Sequence, residues 1–344
     1  MKKIILLLIT GCLVTLAACN SANKKTSPAD AADAIYYGGD ILTMEGDVAT
    51  YADAVGVKDG KIVFVGSKED AAKLKGDSSA IIDLQGKTML PGFIDPHIHP
   101  SIAASILPME IVSAMEWNTP SGKSIVVKDH KAFINRLKEL DKSYEDPGKV
   151  LITWGYFKPY HGDISRNELN AVSKTRPIVI WQRSCHEFFL NDAALKHFNI
   201  TEADFKKMPA YADYKKGHVF EAGLFVVTKS ILDYIGDPAT FKKGLELMTD
   251  VIHKGGLTTV CEQGFPQIDM ALELKMDGDE INKATTPYRF VMVPNAMTLY
   301  PKFKNGQKLL SYCDSLIKTG SSKMDYSKAI KFYVDGAIFS QLMI

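Results

Sequence analysis

The sequence predicts an α/β protein: a small β unit followed by a parallel α/β body. Three observations carry this. Short β-rich runs separated by Gly-containing turns fill residues 34–90. From Phe93 onward, apolar runs of strand length alternate with helical stretches, the pattern of parallel α/β units. The chain has 344 residues, 46% hydrophobic and 24% charged, enough for a barrel-sized core beside a second, smaller unit.

The N-terminus reads as a targeting segment rather than as fold. Met1-Lys2-Lys3 is basic, residues 4–14 form an apolar core, and Leu16-Ala17-Ala18-Cys19 places small residues before a cysteine. This resembles a bacterial lipoprotein signal peptide over residues 1–18, with lipidation expected on Cys19; a plain secretory signal and an uncleaved anchor are the alternatives. Acyl chains there would hold the protein on a membrane surface of the cell envelope without a transmembrane helix. Asn20, rather than aspartate, follows the cysteine, which by resemblance to Gram-negative sorting favours the outer membrane over the periplasmic face of the inner one. Residues 19–33 are rich in Ser, Ala, Lys, Asn and Asp and read as a flexible tether. Cys185, Cys261 and Cys313 are too widely spaced for a disulfide framework and are expected to fill core space. A net charge of +1 gives no sign of a nucleic-acid partner.

Within residues 34–90, Lys58-Asp59-Gly60-Lys61 between two β-rich runs predicts a hairpin. Gly38-Gly39 predicts a second turn, between Ala34–Tyr37 and Asp40–Met44. Beyond it, Val150–Trp154, Pro177–Trp181, Gly256–Val260, Tyr288–Val293 and Ala329–Val334 are strand candidates. Asp129–Leu140, Asn191–His197 and Pro238–Lys254 are helix candidates. Residues 201–218, polar and lysine-rich, read as a surface excursion.

The chemistry concentrates in Pro91-Gly92-Phe93-Ile94-Asp95-Pro96-His97-Ile98-His99-Pro100. Alternate side chains of a strand share a face, so His97 and His99 point the same way and can grip one divalent ion. Proline on either side marks where the strand starts and stops. This stretch resembles the first-strand signature of the amidohydrolase superfamily. Further segments resemble its amidohydrolase-3 branch, which includes N-substituted formamide deformylases: Arg176-Pro-Ile-Val-Ile180; Arg183-Ser-Cys-His186 with Asn191 and Ala193–Leu195; Gly255–Val260; and Ile330-Lys-Phe-Tyr-Val-Asp-Gly-Ala337. Cys185 directly before His186 departs from the branch pattern.

The resemblance implies a (β/α)8 TIM barrel over residues 91–344, incomplete here, with a β-sandwich part at residues 34–90. It implies a divalent metal, zinc by default with iron, manganese or cobalt also compatible, as one or two ions. It suggests Lys331 as a carboxylated, metal-bridging lysine, with a snorkelling lysine near a strand end the alternative, and His186 as a pocket contact or metal neighbour, with a satisfied surface histidine the alternative; Asp335 is a candidate for capping the following turn or for ordering the site. Glu262, just past a predicted strand end, is a candidate for binding metal or substrate. Trp154, Tyr156 and Trp181 are candidates for lining a pocket, with core packing the alternative. His130, His161, His197, His218 and His253 read as surface histidines. The implied reaction is hydrolysis of a small-molecule carbon–nitrogen bond, such as an amide or formamide, by metal-activated water. Two further histidines and a late aspartate, which family members carry, have no counterpart before Ile344, so a fragment with poor metal binding and no turnover is expected. A non-catalytic envelope lipoprotein that binds a ligand or partner is the alternative.

Overall fold

The computed structural model describes residues 31–334. The signal segment 1–18, Cys19, most of the tether and Asp335 lie outside the described residues. The chain divides into two units after Pro91.

The first unit is one five-stranded sheet. Lys61–Gly66, Tyr51–Lys58, Ala32–Leu42 and Lys75–Asp83 lie in that spatial order, and Thr88–Met89 also pairs with Ala32–Leu42. The predicted hairpin is present, with Asp59 and Gly60 at φ 49° and 70°, both in the left-handed region that a tight primed turn requires. Gly38-Gly39 is not a turn. Ala32–Leu42 runs through it as a single strand, and a register shift between Tyr37 and Ile41 absorbs the surplus residues. The reason is pairing on both sides: an antiparallel neighbour and two parallel ones hold the run extended. Among the described residues this unit is one sheet carrying the short helix Lys68–Ala72, over a core of Ala32, Ile35, Ala54 and Ala71.

The second unit contains a four-stranded sheet of Phe93–Ile98, Leu257–Phe265, Arg289–Pro294 and Met324–Tyr326. All three pairings are parallel, and the spatial order follows the sequence order. Helices Pro238–Lys254, Met270–Ile281, Ala296–Phe303 and Gly306–Ile317 make the crossovers. A barrel runs its strands in this sequential parallel order, whereas a doubly wound sheet reverses it. Helix Pro100–Ile106 packs on Pro238–Lys254 so closely that a Cβ on Gly244 would lie 1.6 Å from the Ala104 carbonyl oxygen.

The sequence reading placed Val150–Trp154 and Pro177–Trp181 in the same succession of strands. The structure puts them elsewhere. Leu151–Tyr156 and Ile178–Gln182 belong to a separate six-stranded sheet, with Glu110–Ile111 on one side and Glu187–Leu190, His218–Phe220 and Ala212–Asp213 on the other. That whole sheet is inserted between the first and second strands of the four-stranded sheet. It has its own apolar clusters on both faces, one including Trp154, Trp181, Phe188 and Leu190 and the other Phe133, Leu137, Tyr156 and Ile180. Periodicity reports a buried strand but not which sheet receives it. The excursion at residues 201–218 supplies the edge strand Ala212–Asp213, leads into its neighbour His218–Phe220 and buries Phe205, so it is part of the fold. The predicted helices are present, with Asp129, Asn191 and Asp237 capping their first backbone N–H groups.

Arg176 ties the inserted sheet together. It is 3% exposed, pairs with Asp141 at 2.6 Å, and donates to the carbonyls of Asp141, Tyr144, Asp146 and Lys149. Five donors in a fixed fork suit this collection of backbone carbonyls as no other side chain does.

Candidate metal centre

Strand Phe93–Ile98 ends at the histidine pair. The two rings are edge to face with centroids 5.5 Å apart. His99 is the N-cap of helix Pro100–Ile106, so the chain turns from strand to helix at the second histidine. Burial, then the charges of Lys331 and His99, hold His97 below the usual imidazole range. A neutral imidazole is the form that ligates a metal.

His99 is held by a carboxylate from the neighbouring strand. Its Nδ1–H donates to Glu262 Oε1 at 2.9 Å, and Ser101 N–H donates to Glu262 Oε2 at 3.0 Å. A carboxylate only accepts, so the proton rests on Nδ1 and the Nε2 lone pair is free for a ligand bond. Glu262 itself is fully buried. Gln267 adds its amide, with Nε2 donating to Glu262 Oε1 at 3.2 Å and lying 3.1 Å from His99 Nδ1. A histidine fixed through its second nitrogen by a carboxylate is the usual support of a metal-ligating imidazole.

Behind this pair lies a buried acidic group that the sequence did not reveal. Glu273 and Asp277, one turn apart on helix Met270–Ile281, are both fully buried. One Glu273 oxygen accepts the backbone N–H groups of Gln267 (2.8 Å) and Ile268. Its other oxygen and both Asp277 oxygens make no well-formed hydrogen bond among the described residues, and the Ser101 hydroxyl is the polar group close enough to interact with both carboxyls. Burial, then the nearby carboxylates, raise both: Glu273 to about 8, and Asp277 well above the carboxylate range.

The remaining candidates are dispersed. Lys331 is half-buried and joins the edge of Arg289–Pro294 through an isolated bridge with Asn295, not through a strand over residues 329–334. Its N–H donates to Pro294 O at 2.8 Å, and its ammonium is within electrostatic reach of His97 and 5.1 Å from the Tyr333 ring centroid. His186 pairs with Glu221 at 3.1 Å, at the end of the inserted sheet. Trp154 is buried in that sheet's core, packing edge to face on Trp117, as are Tyr156 and Trp181. The surface reading of His161 is wrong. It is fully buried, with one ring nitrogen accepting from Phe157 N–H and the other donating to Val127 O. His130 pairs with Glu168, and His218 with Glu187 while stacked on Phe189. Burial pushes the Cys185 thiol up to about 12, consistent with a core-filling role.

Among the described residues no three His, Cys, Asp or Glu side chains converge as a metal site. What the described residues supply is a chelating pair, His97 and His99, with Lys331 nearby. The donor chemistry fits part of a divalent-metal shell.

The two histidines thus stand at the end of the first strand of a sequential parallel sheet, where a divalent ion can be held. Residues 80–324 match the Amidohydro_3 model, described as Amidohydrolase family, and the chain belongs to that family. It is 29% identical over 181 residues to the exoenzymes regulatory protein AepA of Pectobacterium carotovorum subsp. carotovorum, covering 50% of this chain and 35% of that protein. It is 28% identical over 170 residues to the N-substituted formamide deformylase of Arthrobacter pascens, covering 45% of this chain and 28% of that enzyme. An uncharacterized metal-dependent hydrolase from Pyrococcus horikoshii OT3 shares its fold over 89% of this chain and 56% of its own, with a TM-score of 0.61 at 20% identity. The matches thus span about a third or less of these two curated relatives and just over half of the solved structure.

Proposed function

We propose that the chain is part of a metal-dependent hydrolase acting on carbon–nitrogen bonds of small molecules, with amides and formamides as the substrate class. The observation that carries this is His99 held by Glu262 beside His97 at the end of the first strand of the four-stranded sheet. His97 and His99 would hold a divalent ion, zinc by default, with Lys331 as a third ligand. Such an ion supplies a water nucleophile at neutral pH and polarises a carbonyl oxygen. The protein's own contribution is orientation. Glu262 fixes the His99 tautomer and ring plane, Gln267 braces Glu262, and partial desolvation together with the Lys331 charge lowers the proton affinity of His97. Zinc is favoured by the two imidazoles; iron, manganese and cobalt suit the same donors.

The four-stranded sheet is completed into a closed (β/α)8 barrel by further strands, which carry the remaining ligands and the acid that protonates the leaving nitrogen. The 344-residue chain alone binds metal weakly and does not turn over. Cys19 is lipidated and places the protein on the bacterial envelope. The barrel reading is supported by the sequential parallel order of the four strands and by the share of its relatives that the chain spans; the lipid anchor is supported by the Leu16-Ala17-Ala18-Cys19 sequence.

The test is to read the coding frame beyond Ile344, express the continued polypeptide and assay zinc-loaded protein against formamides, simple amides and cyclic amides. Metal-dependent hydrolysis that His97→Ala abolishes is the expected result. A stop codon directly after Ile344, with a folded product that takes up no metal, would instead favour a ligand-binding lipoprotein.

A further inference from the structure

The residue that best explains why Gln267 is where it is lies one layer away, on helix Met270–Ile281. After strand Leu257–Phe265 the chain makes a short loop through Pro266, Gln267 and Ile268 before Asp269 caps the helix. A loop of this kind presents backbone N–H groups that need acceptors once buried. Glu273, in the first turn of the helix, folds back and accepts from both Gln267 N–H and Ile268 N–H with one oxygen. The Gln267 side chain, for its part, donates to Glu262 Oε1 at 3.2 Å and lies 3.1 Å from His99 Nδ1. Gly264, at φ +139° on the same strand end, leaves the space: a Cβ there would lie 2.6 Å from Gln267 Nε2.

We propose that Glu273 is a positioning residue for the histidine pair, acting through Gln267 and Glu262 on His99. The chain of contacts is continuous. The Glu273 carboxyl holds the Gln267 backbone, the Gln267 amide donates to Glu262, and Glu262 accepts from His99. An acceptor oxygen is what the loop requires of Glu273. An amide in its place keeps the oxygen and the shape, whereas an apolar side chain leaves two part-buried N–H groups without their acceptor. Asp277, a turn further along, makes no such contact with the loop, and its oxygens make no well-formed hydrogen bond among the described residues. It is the internal control for removing a buried acid from the same helix face.

The proposal rests on the metal reading only for its functional consequence, so the experiment has two readouts. The first is imidazole 15N NMR of the metal-free 344-residue chain, which reports the tautomer of His99. The second is cobalt titration of the same samples, followed by the visible absorption of the ion. Wild type, Glu273→Gln and Asp277→Asn are expected to keep His99 in the Nδ1–H form. Glu273→Leu is expected to give a mixed tautomer and roughly tenfold weaker cobalt binding, in line with loss of outer support at a ligating histidine. Unchanged His99 signals in Glu273→Leu overturn the proposal. So does a loss in Glu273→Gln as large as in Glu273→Leu, because the amide retains the acceptor. If Glu273→Leu fails to fold, Gln267→Leu replaces it: the helix is untouched, and an unaltered His99 tautomer again overturns the proposal. If the wild-type chain binds no cobalt, the metal reading falls while the His99 signals still decide the role of Glu273.

Discussion

Glu262 and His99 come from strands that are neighbours in space but 163 residues apart in the chain, and they meet through a 2.9 Å hydrogen bond. The same carboxylate takes the Ser101 N–H at the start of the next helix. One fully buried side chain therefore fixes the second histidine and the backbone that follows it. Replacing Glu262 by Ala is expected to weaken divalent-metal affinity by about 10–100-fold. It should also destabilise the fold by about 1–3 kcal/mol, because the Ser101 N–H loses its acceptor. Glu262→Gln should fall between, since an amide cannot accept at both ends. Calorimetric metal titration and thermal melts check both.

The buried acids give a pH dependence of definite sign. The Glu273 carboxyl is raised from its ordinary value of 4.5 to about 8 in the folded state. At low pH both folded and unfolded forms are protonated and the group has no effect. As pH rises from about 4.5 to 8 the unfolded chain releases the proton first, so stability falls, and it levels off above 8. Glu273→Gln is expected to remove a large part of that fall, on the order of 3 kcal/mol between pH 5 and 8. Asp277, raised for the same reasons, leaves a residual slope that Asp277→Asn should take away. Urea unfolding across this pH range measures it.

Gly244 is the contact point of helices Pro100–Ile106 and Pro238–Lys254. A methyl group there meets the Ala104 carbonyl oxygen at 1.6 Å, and the obstacle is backbone, which cannot rotate away. Gly244→Ala is expected to lower stability by about 3 kcal/mol through overpacking, despite alanine's better helix propensity. Since Pro100–Ile106 begins at His99, metal affinity should fall with it. Melts and metal titration of the variant test both effects.

Arg176 is expected to be among the least replaceable residues of the inserted sheet. Arg176→Met leaves the half-buried Asp141 carboxylate and four backbone carbonyls without their donor and should cost about 3–5 kcal/mol. Arg176→Lys should recover only part of this, because an ammonium cannot reproduce the fork. Chemical denaturation of the two variants is the check.

What was legible in the sequence follows from the range of each signal. The Asp59-Gly60 hairpin and the helices beginning after Asp129, Asn191 and Asp237 are local, set by turn and cap chemistry, and they stand where the sequence places them. The histidine pair is local too: the two residues lie one apart at a strand end. Gly38-Gly39 misled because a glycine pair marks a turn or a bulge equally well, and only the neighbouring strands decide. The inserted sheet misled because strand periodicity carries no partner information. Glu273 and Asp277 were illegible for a different reason. They occupy the most buried stripe of their helix, where a sequence pattern reads acids as solvent-facing. The Glu262–His99 pair needed the fold, since no spacing rule links positions 163 residues apart.

The central claim is that His97 and His99 form a metal pair. Zinc titration of the purified chain beside a His97→Ala/His99→Ala double variant, with stoichiometry read by calorimetry, tests it most directly. Weak but saturable uptake of zinc by the wild-type chain, lost in the double variant while both remain folded, is the expected result. Equal zinc uptake by the two folded proteins, or none by the wild type, would contradict it.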